Sequence, residues 1–148
     1  MSRNGDLMRK ALKRFWLPEM SRIGFVGKSS TFQRLGPEYQ DLLSLQYWKY
    51  GGEFILEFAR RARGPFVTSW GSVIPEEKLD VAYLSPTLRA RLEQIGSTAG
   101  HCFRGFDFSS FDEDVAKYES LAKELVLYLP EVDDWLNHGR KGEHMSTF

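Results

Sequence analysis

Gly27-Lys28-Ser29 has the residue types that close a phosphate-binding loop, in which backbone N–H groups and a lysine cradle phosphate oxygens. The full motif also needs a glycine five residues before the Gly-Lys pair. Arg22 stands there, and the segment follows a helix pattern and precedes a strand pattern, the reverse of the order the motif requires. A polar hairpin turn is the better reading. His101 and Cys102 are adjacent, with His138 and His144 far along the chain, so no Cys-x-x-Cys or His-x-x-x-His spacing offers a structural zinc site. Neighbours in a strand point to opposite faces, so Cys102 as a nucleophile would need a distant base such as His138. A half-buried thiol in a sheet is the simpler reading. No Gly-x-Ser-x-Gly elbow occurs. Asp112, Glu113 and Asp114 read as the first turn of a helix, where acids complement the dipole, and paired carboxylates for hydrolysis would need a cleft besides. No catalytic set, metal site or cofactor is expected.

Binding chemistry is better represented. Arg60, Arg61 and Arg63 follow one strand pattern, Arg89 and Arg91 share a face of another, and Trp48 with Tyr50 lies in the preceding hairpin. Guanidinium groups bind phosphate or carboxylate bidentately and exposed aromatic rings stack on bases, so these residues could clamp an anion. The alternative is a solvated sheet face whose arginines cover aromatic rings with their stems. Gln46 lies mid-strand on the face of Ser44 and Trp48, as a ligand contact or as an amide that ties strands together. Charge is segregated. Residues 1–34 hold eight Lys+Arg and two Asp+Glu, a net of +6, whereas residues 107–134 hold nine acids and two bases, a net of −7. Either the two terminal regions pack side by side and pair these charges, or the acidic helix around Asp112, Glu113 and Asp114 steers a basic partner.

The elements that must position these residues follow from periodicity. Leu7, Met8, Ala11, Leu12, Phe15 and Trp16 form one helical stripe, with Asp6 as N-cap and Pro18 as its end or kink. Gly24 to Gly27 and Thr31 to Arg34 read as a strand or hairpin start, closed by a turn at Gly36-Pro37. Two alternating runs, Leu42 to Tyr50 and Phe54 to Ala59, flank Gly51-Gly52 and predict a hairpin. Between Arg63 and Pro86 only a two-turn helix from Pro75 to Tyr83 is expected. Leu88, Ala90 and Leu92 alternate with Arg89, Arg91 and Glu93 as a fourth strand, and Phe103 to Phe108 reads as a short fifth. Ser110 to Glu113 matches a capping box before a long amphipathic helix through Leu129. Pro130 starts a further turn or two that ends at Gly139, and Arg140 to Phe148 offers no buried face.

The order of these motifs resembles a known family. An N-terminal helix precedes Gly24-Phe25 and Thr31-Phe32-x-Arg34. Then come Leu45-Gln46-x-x-x-x-Gly51-Gly52-x-Phe54-x-Leu56, Leu88-Arg89-x-Arg91-Leu92 and a closing helix. This arrangement is similar to the uncharacterised bacterial family called domain of unknown function 4304. Glu57-Phe58-Ala59-Arg60-Arg61 departs from the small polar turn usual there. The resemblance implies an α+β fold and no established activity; by analogy, small bacterial domains of this kind include immunity or antitoxin-like binders.

The 148 residues, with 42% hydrophobic and 14% aromatic side chains at zero formal net charge, suit one folded domain over 1–148 and exclude a disordered chain. The last nine or so residues are expected to fray. A single cysteine excludes a disulfide scaffold, and no apolar run approaches the length of a membrane span. No export signal is visible at the N-terminus, so a cytoplasmic location is expected. The expected fold is an α+β domain: an antiparallel sheet of four to five strands with the N- and C-terminal helices packed on one face. The expected function is non-enzymatic protein interaction, of an immunity-like kind, through the uncovered sheet face or the acidic helix. The rivals are an anion or nucleic-acid binder on the arginines and, last, a hydrolase with scattered residues.

Overall fold

In the computed structural model, residues 3–94 and 105–147 are described. The His101-Cys102 pair and the first part of the expected Phe103–Phe108 strand lie outside them. Arg3 to Arg22 forms one helical run in three parts: α1 (Arg3–Ala11), a π-helical stretch (Leu12–Trp16) and α2 (Leu17–Arg22). Asp6 falls in the first turn of α1 instead of capping it. Pro18 does not end the run, contrary to expectation. The backbone widens so that Leu17 N–H reaches Leu12 C=O, and the proline then occupies the start of α2, where a missing N–H costs nothing. The true end is a Schellman closure, with Gly24 N–H on Ser21 C=O (3.0 Å), Phe25 N–H on Met20 C=O (3.0 Å) and Gly24 at φ 99°.

The sheet is antiparallel throughout its described pairs. Its strands are β1 (Val26–Lys28), β2 (Thr31–Leu35), β3 (Tyr39–Tyr47), β4 (Glu53–Ala62), β7 (Arg89–Leu92), β8 (Phe106–Asp107) and β9 (Met145–Thr147). They lie in the order β1-β2-β3-β4-β7-β9, and β8 pairs with the start of β4. The fold is therefore α+β, with more strands than the four or five expected. The central hairpin β3–β4 pairs Tyr47 with Phe54 and Leu43 with Phe58 across a turn whose Gly51 and Gly52 both have positive φ. One extra strand comes from the segment expected to fray. Met145 is buried, and Arg91 and Leu92 on β7 pair with Ser146 and Met145. Two isolated apolar residues, Met145 and Phe148, among polar ones gave no periodic signal.

One sheet face carries Leu43, Leu45, Phe54, Leu56 and Phe58, and the terminal helices cover it. The closing helices are α3 (Val115–Leu127) and α4 (Leu129–His138), which ends at left-handed Gly139. Tyr118, Leu121, Ala122 and Leu125 of α3 meet Met8, Leu12 and Trp16 in this core. The expected capping box does not form. Phe111 packs edge-on against Tyr118 (5.2 Å) and Tyr118 Oη–H donates to Asp112 C=O (2.7 Å), so Ser110 to Asp114 turns before the helix starts. Asp112, at φ 51°, and Glu113 therefore precede α3, with Asp114 as its N-cap.

The opposite face was expected to be open, and here the structure differs. Leu42 and Ala59 are sealed by Leu79, Val81 and Leu84 from the connection between β4 and β7, with Phe66 and Ile74 packed alongside. That connection holds a small hairpin, β5 (Phe66–Val67) with β6 (Val73–Ile74), and three single 3₁₀ turns. The expected Pro75–Tyr83 helix breaks because Leu79 and Asp80 are extended, which lets Leu79 and Val81 both reach the sheet.

Candidate functional site

The five arginines do not form one cluster: the period of two puts Arg60 on the helix-covered face, and the others divide between partners, Arg61 and Arg63 with Gln40 and Glu76, Arg89 and Arg91 with Glu57. Arg60 lies on the helix-covered face opposite Asp41. Its Nε and Nη2 donate to Asp41 Oδ1 (2.7 Å) and Oδ2 (3.1 Å), which holds its pKa above the usual arginine value. Asp41 also accepts from Arg34 Nε (2.9 Å), and Arg34 Nη2 reaches Asp133 Oδ1 on α4 (2.7 Å). This nearly buried carboxylate thus ties β2, β3, β4 and α4 together. Arg61 donates to Gln40 Oε1 (2.8 Å) at the base of the β5–β6 arm. Arg63 grips Glu76 bidentately (2.8 and 3.0 Å) and Gly36 C=O (2.6 Å), while Gly64 N–H donates to the same carboxylate (2.5 Å). These contacts pull the Glu76 carboxyl down to about 2, with the Arg63 hydrogen bonds as the largest cause and Gly64 N–H next.

Arg89 and Arg91 do meet Gln46, around a residue that sequence reasoning passed over. Glu57, 2% exposed, accepts from Gln46 Nε2 (2.6 Å) and Arg91 Nη2 (3.4 Å), with Arg89 Nη1 at 3.7 Å. Arg89 also donates to Leu84 C=O (2.5 Å) and Ala82 C=O (3.1 Å), and so fastens the connection onto the sheet. Together with Ser44, Asp80 and Pro86, these groups line an open cleft of ≈ 630 Å³. The missed signal was an acid in the middle of an apolar strand: Glu57 has Ser44 on one side and Arg91 on the other, and a carboxylate there needs cationic or amide partners. Trp48 is not among the residues lining this cleft. It sits in the β3–β4 turn, edge-on to Tyr50 (5.0 Å).

Asp80 and Ala82 also line a neighbouring hollow of ≈ 680 Å³ formed by Phe66, Thr68, Trp70 and Tyr83. The β5–β6 arm stands over it. Thr68 N–H donates to Ser72 C=O (2.8 Å), Ser72 N–H donates to Thr68 Oγ1 (2.9 Å), and Gly71 takes φ 90°. The arm turns Phe66 and Ile74 inward and leaves Val67, Val73 and Trp70 exposed, Trp70 by 72%.

The segregated charges are partly paired across the termini. Arg3 meets Glu113 (2.7 Å), Arg14 meets Glu119 (3.5 Å) and Arg34 meets Asp133 (2.7 Å). Asp112, Glu113 and Asp114 are exposed. Among the described residues, no group of three or more His, Cys, Asp or Glu is placed to hold a metal ion, and no helix is long and apolar enough to cross a membrane. No family model, curated protein or solved structure matches the chain.

Proposed function

We propose that this chain is a non-enzymatic protein-interaction module of an immunity-like kind, which engages its partner through the β5–β6 arm and the charged cleft beside it. The observation that carries the proposal is Trp70. A tryptophan at the tip of a hydrogen-bonded hairpin, flanked by exposed Val67 and Val73, is the kind of rigid aromatic anchor that concentrates binding energy at protein interfaces. The cleft lined by Gln46, Glu57, Arg89 and Arg91 adds directional polar groups that fix register once the anchor is seated. Exposed Asp112, Glu113 and Asp114 contribute steering toward a basic partner. Kinship with the domain of unknown function 4304 family, and the bacterial cytoplasmic setting it implies, belong to the same proposal and are supported by the order of the sequence motifs.

A second reading is favoured by one feature: Arg89 and Arg91 both line the cleft, so an anion or a nucleic-acid backbone could be held there. A pull-down from native lysate with tagged protein, at low and high salt and with Trp70→Ala alongside, separates the two. A stoichiometric protein that survives high salt and is lost with Trp70→Ala is the expected result. Nucleic acid that is released by salt and indifferent to Trp70→Ala would replace the proposal with the second reading.

A further inference from the structure

The first helical run and the β1–β2 turn enclose a separate cleft of ≈ 430 Å³, on the side of the molecule where the helix becomes π-helical. Trp16 lines it. Its ring is fully buried and held edge-on by Phe32 (5.4 Å), yet its indole N–H finds no acceptor among the described residues. A buried donor without a partner is destabilising and rare, and it calls for an explanation at its own site. The surroundings supply one. Arg9 and Lys13 line the cleft, and no acidic side chain is among its described lining residues. The Arg9 guanidinium lies 4.0 Å over the Tyr47 ring, which fixes its position. Leu12, Leu45 and Tyr47 provide apolar wall. The π-helical stretch is a further pointer, since single widened turns of this kind recur at functional sites.

We infer that this cleft binds a small carboxylate with an apolar body, its charge held by Arg9 and Lys13, its tail along Leu12 and Leu45, and an oxygen accepting from Trp16 Nε1. The volume lies within the range of small-molecule sites, and a few convergent polar groups on an apolar lining are their usual make-up. The indole N–H is shut off from bulk water, so a side chain of the cleft must shift for the ligand to reach it. The site is lined from the helix-covered side and, among the described lining residues, shares only Leu45 with the polar cleft of the proposed partner surface.

The test is titration of the full chain with octanoate, followed by the indole N–H resonances in a ¹⁵N NMR spectrum, that of Trp16 being assigned by its loss in Trp16→Phe. Octanol and inorganic phosphate serve as controls for the apolar and anionic parts. Octanoate should shift the Trp16 resonance saturably, the two controls should not, and Arg9→Gln with Lys13→Gln should weaken binding roughly tenfold. Lys13 is exposed whereas Arg9 is half-buried over Tyr47, so Lys13→Gln alone also tests the site, with weakened binding expected, if Arg9→Gln or Trp16→Phe fails to fold. An unmoved Trp16 resonance, an equal response to octanol, a response to phosphate alone, or undiminished binding by the double variant would each overturn the inference.

Discussion

Asp41 shows how much one side chain does in this protein. It is 3% exposed and bonded to both Arg34 and Arg60, so removing it leaves two guanidinium groups facing each other beneath α4. Asp41→Ala should lower unfolding stability by about 3 kcal/mol in urea denaturation, the scale found when one partner of a buried ion pair is removed. Glu76 acts by a different route, because its contribution depends on pH. Its folded pKa of about 2 lies below the ordinary 4.5, so the stabilisation it lends is complete above 4.5 and fades as pH falls toward 2. Glu76→Gln should therefore lower the urea midpoint at neutral pH, with the gap to wild type closing over that window; a gap that persisted at pH 2 would assign the effect to something other than ionisation. Neither role could be read from the chain. Arg60 is 19 residues from Asp41 and Asp133 is 99 from Arg34, and only the register and the packing of α4 bring them within bonding distance.

Among the elements, the β3–β4 hairpin was the most legible, since two alternating runs around Gly51-Gly52 specify both the strands and the turn. Gly52 has φ 82°, and a Cβ on it would come within 2.9 Å of Ser109 Cβ. Gly52→Ala should cost more than about 1 kcal/mol by thermal or urea unfolding, because both strain and contact oppose the methyl group. The first helix was legible in its stripe but not in its length. A proline normally marks an end, and nothing local announces that a π-helical turn will absorb it. The connection from Arg63 to Pro86 was hardest. Its residues are spaced to reach an apolar strip on the sheet, Leu42 and Ala59, and that strip belongs to other elements.

At the scale of the whole molecule, the terminal regions carry opposite charge, and among the described residues Arg3–Glu113, Arg14–Glu119 and Arg34–Asp133 join them. The two at the surface, Arg3–Glu113 and Arg14–Glu119, add little stability but are well placed to steer encounter, whereas Arg34–Asp133 is half-buried. Charge reversal of Asp112, Glu113 and Asp114 to Lys should lower the melting temperature modestly, because it removes the Asp114 N-cap and sets cations against the α3 dipole and Arg3, and should slow association with a captured partner, as stopped-flow mixing at low salt would show. Trp70→Ala should behave oppositely: stability within about 0.5 kcal/mol of wild type and rapid dissociation from the partner, because an exposed tip supports no core. By itself the sequence determined the α+β class, the central hairpin, the two amphipathic terminal helices and the strand with Arg89 and Arg91, since each follows from local periodicity and turn chemistry. Only the tertiary structure decided that the second sheet face is partly covered, that Met145 to Thr147 completes the sheet edge, that the arginines divide between faces, and that Glu57 gathers Gln46, Arg89 and Arg91. These are contacts between residues distant in the chain, and a linear pattern carries no information on which distant residue will neutralise a buried charge or seal an apolar strip.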